Sequence, residues 1–516
     1  MSESPRLAER DLTAAEQAIA LRCVLRARES GQARWLARVI EAEVGDVLRC
    51  YAHAGVRDRF FWQRVEVGEA FCTFGAVDEI ESDGPGRFSD IRDWTRKLRQ
   101  RIDWLGPLRP ATAPLFVGGF GFESEMAVSP DWKAFPAARF VLPAVIVEQR
   151  DGQSRWILFV RVESGATQHA VVSELEARFD DAAAANAPGE IASDGASARS
   201  GIDSTEELDG AVGRTLDGCA GEAKGPEYIV RADRSHAKFQ EQIRNALGDI
   251  EEGRMAKVVV ARSLSVDHDS PFDIPSFLDR LRSMYPSCTL VAVGRAMDTF
   301  LAATPETLIR IAGDEVASAA LAGSAPRGRH PEEDEALGQA LLGSEKENAE
   351  HNHVVASIRS AIESCCEEFE ISETPTLRKL VGIQHLETCL RGRLSSKPDG
   401  QPAVDLLELV ETLHPTPAVG GVPAENAASW LRRFEGLDRG WYAAPIGWLD
   451  PSGGGDFRVA LRSALIRNGL GPEGSSGASR ALLFAGAGIV AGSDPAQELV
   501  ETRIKLRALL APMTEI

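Results

Sequence analysis

Two carboxylate pairs, Glu347-x-x-Glu350 and Glu498-x-x-Glu501, lie far apart in the chain, each inside a helical stretch. A spacing of i, i+3 sets both carboxylates of a pair on one helix face. A fold that brings the two faces together gathers four carboxylates, more negative charge than coexists without a cation. The donors are hard oxygens with no Cys or His among them, which points to Mg2+ held by carboxylates, waters and an anionic ligand. His351 follows Glu350 and is a candidate partner of that ligand. Lys505 lies one turn beyond Glu501 on the same face. The alternative is two ordinary solvated helix faces, so the rest of the chain has to decide.

The chain carries 57 Lys and Arg against 77 Asp and Glu, a formal charge of −20. That excess argues against nucleic acid or an anionic membrane as a partner. An anionic ligand then needs local positive charge or a metal, so the basic residues inside motifs carry weight. At 516 residues the chain exceeds the usual size of one core and suggests two lobes or one large domain. No run reaches the roughly 18 apolar residues of a membrane span. Met1-Ser2-Glu3-Ser4-Pro5 lacks the basic and then apolar pattern of a leader. The expectation is a cytoplasmic protein whose eight scattered cysteines stay reduced.

Residues 1–180 mix helix and strand. Leu12 to Arg28 reads as a helix, and Ala138 to Val147 and Trp156 to Val160 as strands about a turn at Asp151-Gly152. Residues 181–226 shift to Ala, Gly, Ser and Asp, the composition of a surface linker. Residues 227–516 open with a helix over Ser235 to Glu252. Short β-runs follow at Lys257 to Leu264, Thr289 to Gly294, Thr299 to Ala303 and Val316 to Leu321. A long helix is predicted over Glu345 to Glu368, with Cys365-Cys366 inside it. Later strands are predicted at Gly440 to Trp448, Phe457 to Ile466 and Ala481 to Val490, with a hairpin loop at Gly471 to Gly477. Asp494-Pro495 starts the last helix. The mixture predicts an α+β fold, with large antiparallel sheets flanked by helices.

Lys257 opens the run Lys257-Val-Val-Val-Ala-Arg262. Beside so many apolar residues it is either a desolvated general base or a strand-end lysine reaching solvent. Pro305 fixes the turn Thr304-Pro305-Glu306 and presents Glu306 at a strand end, the place for a general acid. These segments join Ala320-Leu-Ala-Gly-Ser324, Ile383-Gln-His-Leu386, His414-Pro-Thr-Pro-Ala-Val-Gly-Gly421, Trp441-Tyr442, Val459-Ala-Leu-Arg-Ser463 and Ala485-Gly-Ala-Gly-Ile489. In that order, with the two carboxylate pairs, they resemble the chorismate-utilising enzymes, most closely the isochorismate synthases. The resemblance covers about residues 235–510. Residues 1–180 match weakly, through Gly118-Gly-Phe-Gly-Phe-Glu123.

The resemblance implies a sandwich of antiparallel sheets and a site for chorismate, a dianion. Mg2+ would rest chiefly on Glu350 and Glu501, with Glu347 and Glu498 completing the shell. Lys257 would activate a water that attacks ring C2, and Glu306 would protonate the departing C4 hydroxyl. Arg462 would grip the enolpyruvyl carboxylate, with Tyr442 and the Gly488 amide as further donors. Gly323, Ser324 and Ala418 would line the pocket. His385 is either a hydrogen-bonded core residue or a contact to the substrate ring, and His414 fixes its loop. Lys505 either pairs with a carboxylate or touches substrate. A Lys at 257 marks relatives that use water rather than ammonia, so no glutaminase subunit is expected. Ala322 stands where aminodeoxychorismate-forming relatives carry a nucleophilic Lys. The loop His414 to Gly421 implies release of isochorismate, for menaquinone or siderophore synthesis. The alternatives are a salicylate synthase, which goes on to eliminate pyruvate, and a silent chorismate-binding protein. A monomer or weak dimer is expected.

Overall fold

A computed structural model describes residues 10–54, 58–108, 112–125, 129–187, 214–216, 228–396, 402–469 and 478–514. Its strands form two long series. One runs through Ala138–Arg150, Glu69–Ser82, Asp58–Arg64, Thr289–Arg295, Asp298–Thr304, Ser463–Arg467, Ser479–Val490 and Lys257–His268. The other runs through Phe116–Phe120, Pro445–Leu449, Gly455–Val459, Thr307–Ala312, Glu315–Pro326 and Ile383–Leu394. The strand Ala138–Arg150 pairs with members of both series and joins them. Pairing is antiparallel throughout these series, and the only parallel pair among the described residues is Arg34–Glu41 with Ile102–Leu105. The fold is α+β, as the sequence predicts. Strands from the two ends of the chain interleave, so residues 58–82 and 116–150 are built into the same sheets as the C-terminal motifs.

Local chemistry explains most boundaries. The first helix, Ala14–Ser30, is closed by a capping box between Thr13 and Glu16. Asp151 and Gly152 both take positive φ, 52° and 72°, which makes the tight hairpin between Ala138–Arg150 and Gln153–Val162. The helix His236–Glu251 starts on a Ser235 cap. Asp494 Oδ1 accepts from the Ala496 and Gln497 amides and starts Pro495–Thr514.

Four sequence expectations need correction. The long helix stops at Ile362. Cys365 ends a short 3-10 turn, and Cys366–Ile371 is a strand, in which half-buried Phe369 and Ile371 alternate with exposed Glu368 and Glu370. The run Phe457 to Ile466 is two strands broken at Ala460-Leu461-Arg462, where Arg462 takes φ 46°. Gly440 to Ala444 is a turn, and the strand there starts at Pro445. The helix Gln168–Ala185 also runs into the segment expected as a linker, and Arg214–Leu216 pairs with Tyr228–Ala232. The rest of that linker, the loop 471–477 and residues 1–9 lie outside the described residues. No described helix is long and apolar enough to cross a membrane. Cys23, Cys50, Cys72, Cys288, Cys365, Cys366 and Cys389 are free thiols.

Candidate active site

The two strand series face each other across one cavity, and the chain passes between them at two adjacent corners. Thr304-Pro305-Glu306-Thr307 leaves the first series for the second, and Ala460-Leu461-Arg462 returns. The corners are tied together. The Ala303 amide donates to the Arg462 carbonyl at 3.0 Å, and the Val459 amide to the Glu306 carbonyl at 3.3 Å. The Thr304 hydroxyl donates to the Val459 carbonyl at 2.6 Å. Each corner therefore delivers one ionisable side chain, Glu306 or Arg462, into the same space.

Glu306 is 3% exposed, and burial pushes its carboxyl up to about 8 although Lys257 and Lys505 pull it down. A carboxylic acid that keeps its proton near neutrality can donate it. Arg462 is buried, with its Nη1 lacking a hydrogen-bond partner. An orphaned guanidinium nitrogen in a cavity is a built receptor for a carboxylate, since leaving it unpaired costs free energy. Tyr442 lies stacked on Phe484, and burial raises its phenol well above the usual range, so it stays a neutral donor.

Lys257 is fully buried, which excludes the solvent-reaching alternative. Its Nζ lies 2.8 Å from Glu350 Oε1, and the contact is an ion pair rather than an aligned hydrogen bond. Lys257 and Val259 point toward the cavity by strand alternation. Behind them the buried Arg439 donates to the Val259 and Val419 carbonyls and to Glu435, whose Oε1 accepts from the Ala261 amide. That ion pair holds the Lys257 strand and the loop 414–421 in one register.

The four carboxylates gather from the two helices. The helix Glu345–Ile362 starts on a Ser344 cap. It is anchored by His351, which bonds the Ala322 carbonyl at 3.2 Å and the Thr388 hydroxyl at 2.7 Å. His351 thus holds backbone and strand, not Glu350 as the sequence suggested. Gly323, at φ +75°, forms a bulge that turns the Ser324 amide onto Glu347 Oε2 at 3.0 Å. On the second helix, Arg262 Nε donates to the Thr502 hydroxyl at 2.9 Å and fixes the turn bearing Glu498 and Glu501.

The charge balance of this cluster is tight. Burial and neighbouring Glu501 push Glu498 up to about 7, while Lys346 opposes them. Burial and Glu350 raise Glu347 as well. Burial acts to raise Glu501 too, but Lys505, at 2.6 Å, the Ser324 hydroxyl and Lys346 together hold it below the ordinary carboxylate range. Lys346 Nζ lies 3.2 Å from Glu498 and 3.4 Å from Glu347. Three lysines therefore serve as counter-ions to four carboxylates. In donor type and charge the set fits a hard divalent cation. In this arrangement no three carboxylates among the described residues converge into a ready coordination shell.

Glu306, Gly323, Ser324, Glu350, His385, Ala418, Tyr442, Arg462, Gly488, Glu501 and Lys505 all line the cavity. Lys257, Glu347 and Glu498 stand just behind it. His385 lines it in a neutral form, its basicity lowered by burial and by Lys505 and Arg462. Lys505 pairs with Glu501, the first of its two expected roles, and also donates to the Gly486 carbonyl at 3.0 Å and lines the cavity. His414 bonds the Phe122 carbonyl at 3.1 Å, tying the N-terminal Gly118 to Glu123 segment to the site loop.

The residues matched by family comparison are 20–219 and 219–514, to the family described as chorismate binding enzyme. The chain belongs to the chorismate-binding enzymes. It is 35% identical over 461 residues to a salicylate biosynthesis isochorismate synthase of Pseudomonas aeruginosa, covering 88% of this chain and 85% of that protein. It is 32% identical to the isochorismate synthase MenF of Bacillus subtilis, covering 88% of each. The structure of MenF, the menaquinone-specific isochorismate synthase from Escherichia coli, shares the fold with a TM-score of 0.68 at 22% identity. That match covers 96% of this chain and 100% of that one.

Sequence reasoning passed over Lys346. Its only signal is adjacency to Glu347, and neighbours in sequence do not share a helix face. Arg439 and Glu435 were also missed, because nothing in an exposed-looking helix end marks a buried pair.

Gly488 gives a direct test of how closely this chorismate-binding enzyme packs its site. A Cβ there would lie 2.4 Å from Glu350 Oε1 and 3.2 Å from Lys257 Cε. Gly488→Ala is expected to push the carboxylate off Lys257 and lower kcat/KM at least about tenfold, a cost of about 1.4 kcal/mol. Steady-state kinetics check it, and unchanged kcat/KM would show that the pair has room to move.

Proposed function

We propose that the protein is an isochorismate synthase, converting chorismate to isochorismate by adding water at ring C2 and expelling the C4 hydroxyl. The observation that carries this reading is the arrangement about one cavity: a buried lysine just behind one wall, against the lining carboxylate Glu350, and a carboxyl kept protonated on the other. Arg462 and Tyr442 hold the enolpyruvyl carboxylate, with the Gly488 amide nearby. Lys257, as general base, takes a proton from water as the oxygen bonds to C2. The ring double bonds shift, the C4–oxygen bond breaks, and Glu306 gives its proton to the leaving hydroxide. One water enters and one leaves, so the product is an isomer of the substrate. Without that proton hydroxide is a poor leaving group. His385, neutral and beside Arg462 and Lys505, packs against the ring.

Glu350 and Glu501, with Glu347 and Glu498 beside them, would hold Mg2+. The ion would supply Lewis-acid charge that binds the ring carboxylate. Lys346 and Lys505 would move aside from their carboxylates as it loads. No ammonia-supplying subunit is required, since the base serves water. The product would feed menaquinone or siderophore biosynthesis.

Two experiments bear on these steps. Turnover in oxygen-18 water is expected to place one solvent oxygen in the product. A product free of label would overturn water addition. Glu501→Gln is expected to weaken both Mg2+ and chorismate binding by roughly ten- to a hundredfold, since the ion joins protein to substrate. An unchanged Mg2+ titration would remove Glu501 from the metal site.

A further inference from the structure

A second cleft opens on the far side of Pro305 from the cavity just described, and the two share that residue. Its floor belongs to three neighbouring strands. Arg310 stands opposite Ala317, and Ala317 opposite Arg391, in one cross-strand row. Residues directly opposite one another project from the same face, and adjacent strands lie about 4.8 Å apart. The next row along pairs Ala319 with Cys389. Two alanines therefore leave a trough down the middle strand, with an arginine on each bank.

The walls are also basic. Arg378 is fixed by donating to the Ser287 carbonyl at 2.6 Å. Arg458 is held by Asp456 at 2.7 Å and by the Thr307 hydroxyl, and Arg64 by Glu69 at 3.0 Å. The acids in the lining are Glu66, no closer than 4.0 Å to Arg378, and Glu387, and the same row continues outward to Asp456 opposite Arg310, which pairs with Arg458, and to Glu370 opposite Arg391. Arg310 and Arg391 differ from the other arginines. Among the described residues, neither side chain makes an ion pair or a hydrogen bond. In a chain of net charge −20, carboxylates to quench two guanidinium groups are abundant. Leaving both unpaired over a trough of small residues sets up paired forks of the kind that bind carboxylate or phosphate oxygens.

We propose that this cleft is a second ligand site, distinct from the chorismate cavity, that takes a small dianion between Arg310 and Arg391. The proposal does not depend on the reaction assigned above. Two sources share the chemistry, a dicarboxylate and a phosphate-bearing molecule, and a titration separates them.

The full chain is titrated calorimetrically in chloride buffer with succinate and, separately, with inorganic phosphate. Wild type, Arg310→Gln/Arg391→Gln and Arg462→Gln are compared. Saturable binding of at least one anion by wild type is expected. It should persist in Arg462→Gln, whose lesion lies in the other cavity, and weaken at least about tenfold in the double variant. Binding of succinate alone identifies a dicarboxylate site, and binding of phosphate alone a phosphate site. If the double variant fails to fold, Arg391→Gln at the exposed bank replaces it, with the same expectation. Absence of saturable binding by either anion overturns the proposal. So does binding that survives the cleft variant unchanged or disappears in Arg462→Gln alone.

Discussion

Lys257→Ala is expected to lower kcat by about a hundredfold to ten-thousandfold, the usual worth of a positioned general base, with chorismate binding much less affected. The side chain is fully buried and touches Glu350 alone of the four carboxylates, while Arg462 is assigned to the enolpyruvyl carboxylate and Glu501 remains paired with Lys505. Rate and affinity should therefore separate. Product formation measured by chromatography gives the first, and calorimetric titration with chorismate the second. Near-normal turnover would refute the base assignment. A parallel loss of affinity would mean that Lys257 mainly organises Glu350. The variant also strands Glu350 without its counter-charge, so a lower melting temperature is expected with the lost activity.

Glu306→Gln should cost a similar factor in kcat and, in addition, change the pH dependence. Burial holds the Glu306 carboxyl up at about 8. Its acid form is complete below that value and disappears above it, so wild-type kcat falls as pH rises through about 8. The Gln variant loses that alkaline limb. The same shift has a stability consequence. Between an ordinary carboxylate value of 4.5 and about 8, the folded chain keeps a proton that the unfolded chain releases. Stability therefore falls as pH rises across that window, by on the order of 1 kcal/mol per pH unit. Gln carries no such penalty, so Glu306→Gln should be less active yet gain stability over wild type as pH rises from 5 to 8. Thermal melts across that range check it. A kcat profile still falling through 8 in the variant would assign the limb to another group.

The sequence carried the C-terminal strands and both carboxylate helices well, because each has a clear period and a capping residue. Ser235 and Asp494 mark helix starts, and Asp151-Gly152 marks its hairpin. Continuity was harder to read. Phe457 to Ile466 is apolar enough to pass for one strand, but the chain turns at Arg462 to cross between sheets. Only the tertiary fold reveals that this left-handed residue aims a guanidinium into the site. Cys365-Cys366 shows the opposite error, where helical periodicity was carried past Ile362 into a strand.

The site residues were legible mainly through the order of their motifs. Lys257 has a solvent-reaching alternative in isolation, which its burial excludes. Interactions spanning long separations were not legible. His351 to Thr388, Lys346 to Glu498 and Arg439 to Val259 join positions that no local pattern links.

The most direct measurement is to incubate the purified protein with chorismate and Mg2+, without ammonia or glutamine, and identify the products by chromatography and mass. A product of chorismate's own mass but different retention is expected. Salicylate with pyruvate, or no turnover until ammonia is supplied, would contradict the assignment of an isochorismate-releasing, water-using site.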